Sequence, residues 1–173
     1  MNNQLMDSLH VLSLKDIVPQ ADDVKKIVKI PALVSTGINT KQKVADHYSF
    51  DKRQGGYYTE AAEAFGFIIR HDQKLFLTPW GMLMIQYQGE IANAHVSASI
   101  IRIPIIQEII VKVYDSGFDG LCKDDIVALI AAKTGYGATT LLRRTKTIFS
   151  YLEWLSNNRE LIIIRNGRIF IRR

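Results

Sequence analysis

The end of this chain constrains it most. Leu161-Ile-Ile-Ile-Arg165 and Arg168-Ile-Phe-Ile-Arg172 are two short β-branched runs separated only by Asn166-Gly167. Asn-Gly tolerates positive φ at both positions, so the segment predicts a hairpin with a two-residue turn. Its inward residues, Ile162, Ile164, Ile169 and Ile171, need an apolar edge to close.

Three helices precede it. Residues 104–114 carry helical apolar spacing with proline at the first position, and Asp115-Ser-Gly117 ends the run. Asp124 and Asp125 then lie in the first turn of the apolar stretch 126–132, where carboxylates favour the positive end of the helix dipole. Thr134-Gly-Tyr-Gly137 stops that helix, and a third runs over 138–156. Helix, helix, helix, hairpin is the plan of a winged helix, in which the hairpin covers the apolar edge left by three short helices.

The first part repeats this plan. A helix with carboxylates in its first turn is expected over 21–30, interrupted or kinked at Pro31. Asn39-Thr40 precedes a second helix at 41–48, and Asp51 can cap a third that ends at Gly66. Residues 67–77 read as strand, polar turn, strand, and Thr78-Pro79 opens one more helix through Tyr87. Residues 88–102 form either a rigid helix or a break. No fixed period relates the halves, so the repetition is one of plan. The expected fold is mainly α with small β-hairpin wings (α+β). Its organisation is an N-terminal segment (1–19), a winged-helix unit (20–90), a helical connector (91–103) and a second unit (104–173).

Charge separates the two units. Of 22 basic and 17 acidic residues, ten of each precede residue 91, and the whole net charge of +5 lies beyond. From Ala138 onwards eight Lys/Arg face only Glu153 and Glu160. Such asymmetry points to a polyanion-facing surface. At ~100° per residue, Leu141, Thr145, Ile148, Leu152 and Leu155 of the third helix share an apolar sector of about 80°. Thr139, Arg143, Lys146 and Ser150 oppose them within about 60°, bordered by Thr140, Arg144 and Thr147. In a winged helix this helix enters the major groove, where arginine reads guanine edges and lysine or hydroxyls hold phosphate. Arg165 and Arg168 bracket the wing tip and Arg172 and Arg173 extend its charge; basic tips also protect exposed strand edges.

The first unit offers Lys52-Arg53-Gln54-Gly-Gly-Tyr57-Tyr58 at the start of its third helix. Gln54 suits adenine and Arg53 guanine or phosphate, and Lys41 and Lys43 add phosphate contacts. Tyr58, Ala61, Ala62 and Phe65 have core spacing. Glu60 and Glu63 would repel DNA along the later turns, so contact is expected only at the helix N-terminus.

Thr40-Lys-Gln-Lys-Val-Ala45, Arg53-Gln54, Tyr57-Tyr58, Ala61-Ala62, Phe65-Gly-Phe67 and Leu77-Thr-Pro-Trp-Gly81 together resemble a winged-helix segment of type II restriction systems. There the segment serves as the DNA-recognition part beside a nuclease. The resemblance covers roughly residues 20–90 and implies that Arg53, Gln54 and Tyr57 contact bases or backbone.

Catalytic constellations are not legible. No Glu-x-Lys occurs on a strand, as the common restriction nucleases require for a divalent metal. His10, His47, His71 and His95 are dispersed, and the single cysteine, Cys122, has no companion thiol or nearby histidine. Neither a leader nor an apolar run of ~18 residues is present, which reads as a cytoplasmic chain without membrane contact. The expectation is therefore a double-stranded DNA-binding module without cofactor, catalytic or metal site, with any nuclease chemistry in a separate domain or subunit. The alternatives are a protein-interaction scaffold, for which an exposed Tyr57 would serve, or a stand-alone transcriptional regulator.

Overall fold

The computed structural model describes residues 19–172. The expected N-terminal segment, except for Pro19, and Arg173 lie outside the described residues. The first unit contains α1 (Val24–Ser35), α2 (Lys41–His47), α3 (Lys52–Ala64), β1 (Ile68–His71) and β2 (Lys74–Leu77). Then come α4 (Pro79–Gln86) and α5 (Gly89–Ile101), followed by α6 (Pro104–Asp115), α7 (Lys123–Thr134), α8 (Ala138–Asn157), β3 (Ile162–Arg165) and β4 (Arg168–Ile171). The fold is mainly α, with two separate antiparallel hairpins as small β wings.

Helix starts in the first half follow from local chemistry. Asp23, Thr40, Asp51 and Thr78 each use a side-chain oxygen to accept the N–H three residues on, at 3.2, 3.2, 2.7 and 2.9 Å. These bonds satisfy donors that a helix leaves without a partner at its N-terminus. Asp23 is thus the cap of α1 and not part of its first turn. Pro31 does not end that helix either, which continues to Ser35. Interior proline costs about 3 kcal/mol, but Ile27, Ile30 and Pro31 are all buried, so tertiary packing outweighs the local penalty.

Both hairpins are pinned in the same way. In the first unit the Leu75 N–H donates to the carbonyl of Asn39, between α1 and α2, at 2.8 Å. In the second, Leu121, between α6 and α7, exchanges two main-chain bonds with Ile169, at 3.0 and 2.8 Å. Register also matches position for position. Ile68↔Leu77, Ile69↔Phe76 and His71↔Lys74 correspond to Ile162↔Ile171, Ile163↔Phe170 and Arg165↔Arg168. Asn166 and Gly167 both have positive φ at the second tip, as the Asn-Gly turn requires.

Residues 88–102 contain both expected alternatives. Tyr87 and Gln88 are extended, and the continuous helix α5 follows. Its Val96, Ser97, Ser99 and Ile100 are buried. The Trp80 indole donates to Ser99 Oγ at 2.8 Å, tying α4 to α5. One buried cluster is continuous through the molecule, from Ile27, Phe65 and Phe67 through Ile100 and Ile109 to Tyr151 and Leu155.

Candidate nucleic-acid interface

The third helices of the two units approach each other where Phe65 caps the end of α3. The Phe65 and Tyr151 rings meet edge to face at 5.4 Å, and two turns earlier on α8 the Arg144 charge interacts with Tyr57 and Glu60 of α3. The ring contact and this longer-range charge interaction fall in the same order along both helices, which turns the leading ends of α3 and α8 toward one end of the molecule. Arg53 and Tyr57 form a cation–π pair at 5.6 Å, and Arg144 lies 5.4 Å from the ring of Tyr136. Burial lowers the Arg144 pKa, an effect opposed in part by Tyr136. Tyr57 is half-buried, and its hydroxyl has no hydrogen-bond partner among the described residues. It is therefore not the exposed docking aromatic that a scaffold would present.

Tertiary contacts divide the expected cations into two groups. Arg143, Lys52, Arg53 and Arg165 are exposed and in no ion pair among the described residues. Gln54 and Thr139 are exposed beside them, with Thr140 half-buried. The others are engaged. Lys41 meets Glu60 at 3.5 Å, and Glu63 meets Arg70 at 3.3 Å, so both carboxylates expected to repel DNA are partly neutralised. Lys43 donates to the Gly37 carbonyl at 2.9 Å.

Four other residues of α8 and the second wing have partners that the helical wheel and the turn do not show. Lys146 pairs with Asp22 at 2.7 Å, and this contact raises its pKa. Residues 20–22 lie along the same flank of α8: the carbonyl of Asp22 accepts from Ser150, that of Ala21 from Tyr151 at 2.9 Å, and that of Gln20 from Thr147 at 3.4 Å. Thr147 is accordingly buried rather than bordering an open face. Arg168 does not project from the wing; it donates to the carbonyls of Asp119 at 2.6 Å and Gly120 at 3.2 Å. Arg172 likewise donates to Ser156 O at 3.0 Å and Glu160 O at 3.1 Å, bracing the end of α8.

Sequence reasoning missed one shared feature. Each wing carries an Ile–Phe pair at the same register on its outward face, Ile69↔Phe76 and Ile163↔Phe170. The signal was present as two adjacent isoleucines, a basic residue before and after a two-residue turn, and Phe flanked by Leu or Ile.

The chain is thus an α+β protein with two hairpin-pinned three-helix units, a joint core and a cationic end. Residues 26–160 match the family described as Domain of unknown function (DUF7226), and the chain belongs to that family. No curated protein and no solved structure matches it. Among the described residues, no group of His, Cys, Asp and Glu could hold a metal ion, and no helix is long and apolar enough to cross a membrane.

Proposed function

We propose that this chain binds double-stranded DNA in a sequence-dependent manner, through the leading ends of α3 and α8 and the tip of the β3–β4 wing. The observation that carries the reading is the set of exposed cations, Lys52, Arg53, Arg143 and Arg165, that have no carboxylate partner among the described residues and lie on those elements. α8 adds an N-terminus capped by Gly137 without a side-chain hydrogen bond and without acid in its first turn, as an approaching phosphate favours. Arg143 and Arg165 supply phosphate contact, and Arg53 with Gln54 supplies base readout. The likeness of roughly residues 20–90 to restriction-system recognition segments supports a role as the recognition part of a type II restriction system, with cleavage by another domain or subunit.

Replacing both Arg143 and Arg165 with alanine is expected to weaken duplex binding and to reduce the salt slope by about 2, since each lost phosphate contact removes about 0.9. Arg53→Ala is expected to relax preference among sequences selected from a random duplex library more than it weakens nonspecific binding. Absence of duplex binding at low salt would overturn the reading.

A further inference from the structure

The outward face of the β3–β4 wing has no role in the DNA reading beyond its tip. A cleft of about 530 Å³ lies there. Ile163 and Phe170, paired across the strands, form its centre, with Phe118 beside them and Arg165, Arg168 and Arg172 around them. These side chains share a face because strand residues two apart point the same way. The inner face is used by Ile162 and Ile169, both fully buried.

The cleft is held in shape. Arg168 fixes the Asp119–Gly120 carbonyls and Arg172 fixes the end of α8. Gly120 has positive φ, and a Cβ there would lie 2.6 Å from both the Ile169 carbonyl oxygen and the Phe170 ring. Only glycine allows the 117–120 loop to close against the hairpin at this distance. Yet the loop leaves Phe118 83% exposed, and Tyr114, on the helix leading into it, is 72% exposed.

The charges specify an occupant. No Asp or Glu lines the cleft, and none of its three arginines forms an ion pair among the described residues. Arg168 and Arg172 bond to neutral carbonyls, and Asp125, which is outside the cleft lining, interacts electrostatically with Arg168. Phosphate would match the arginines but not the Ile163, Phe170 and Phe118 surface. An apolar side chain flanked by carboxylates matches both.

We propose that this cleft docks a segment of a partner protein in which acidic residues flank aliphatic or aromatic ones. The first wing carries the corresponding outward pair, with Ile69 55% and Phe76 44% exposed. Its tip bears His71 and Lys74 instead of two arginines, so the acidic segment favours the second wing.

The test uses a fluorescein-labelled peptide of about 12 residues alternating Asp with Leu and Phe, titrated with the full chain and followed by anisotropy. Two control peptides replace every Asp with Lys or every apolar residue with Ser. The acidic apolar peptide is expected to bind and the controls to bind at least about tenfold more weakly. Phe118→Ser and Arg165→Glu, both at exposed positions, are each expected to weaken peptide binding by about tenfold or more. Phe118→Ser is expected to leave duplex binding unchanged. Equal binding of all three peptides, or binding indifferent to both variants, would overturn the proposal. Loss of duplex binding in Phe118→Ser would also overturn it by assigning the cleft to the nucleic-acid face. Failure of the chain to bind any duplex bears on the DNA reading alone.

Discussion

Asp22→Ala offers a test in which removing a native contact increases binding. The Asp22 carboxylate holds Lys146 Nζ at 2.7 Å, and the Lys146 side chain is 77% exposed. An exposed pair of this kind contributes about 0–1 kcal/mol, so thermal stability should change little. The bond from Ser150 to the Asp22 main chain does not depend on the carboxylate. What changes is the availability of one cation on the outer face of α8. If that face meets DNA, Lys146 gains a phosphate, and the slope of log affinity against log salt steepens by about 0.9. Phosphate contacts contribute little near ~1 M salt; extrapolating that slope to ~0.1 M gives a gain of about eightfold. The assay is a duplex titration across a salt series, with Asp22→Ala/Lys146→Ala as the control that should abolish the gain. An unchanged slope and affinity, with an unchanged melting temperature, would refute an extension of the duplex contact from the leading end of α8 to this flank.

Two further outcomes test the seam and the core. Tyr151 is fully buried and donates to the Ala21 carbonyl, so Tyr151→Phe leaves that acceptor unsatisfied and should cost about 1–3 kcal/mol in denaturant unfolding; an unchanged midpoint would show that this bond does not hold residues 20–22. Burial, reinforced by Asp22 and Asp23, pushes Tyr58 up to about 12, and burial raises Tyr151 as well. A raised tyrosine pKa stabilises the protonated folded form below the unfolded value near 10, so this contribution should be complete at about pH 9 and fade as pH rises from about 10 to 12. Tyrosinate absorbance measured on the folded chain checks it: titration of every tyrosine near pH 10 would contradict the burial argument.

Legibility followed the range of the forces involved. The starts of α2, α3 and α4 depend on Thr40, Asp51 and Thr78 bonding three residues ahead, and the second wing on the conformational tolerance of Asn166-Gly167. Those signals lie within one turn of the chain. Pro31 was misleading for the opposite reason: its local preference loses to packing of Ile27 and Ile30, which no local window contains. The helical wheel of α8 found Ile148, Leu152 and Leu155 but not the burial of Thr147 and Tyr151, because a wheel treats the helix as having one partner. Residues 20–22 and Phe65 supply a second.

The sequence by itself determined the element order, the two hairpins and the concentration of positive charge in the last third, since each rests on local spacing or simple composition. Only the tertiary structure decided which cations remain available. Lys146 and Arg168 have outward or tip positions in any local reading, yet one meets Asp22 and the other the Asp119 and Gly120 carbonyls, far away along the chain. Arg143 and Arg165 meet no such partner among the described residues. A charge finds its partner through space, and that distance is fixed only when the two units close on a common core.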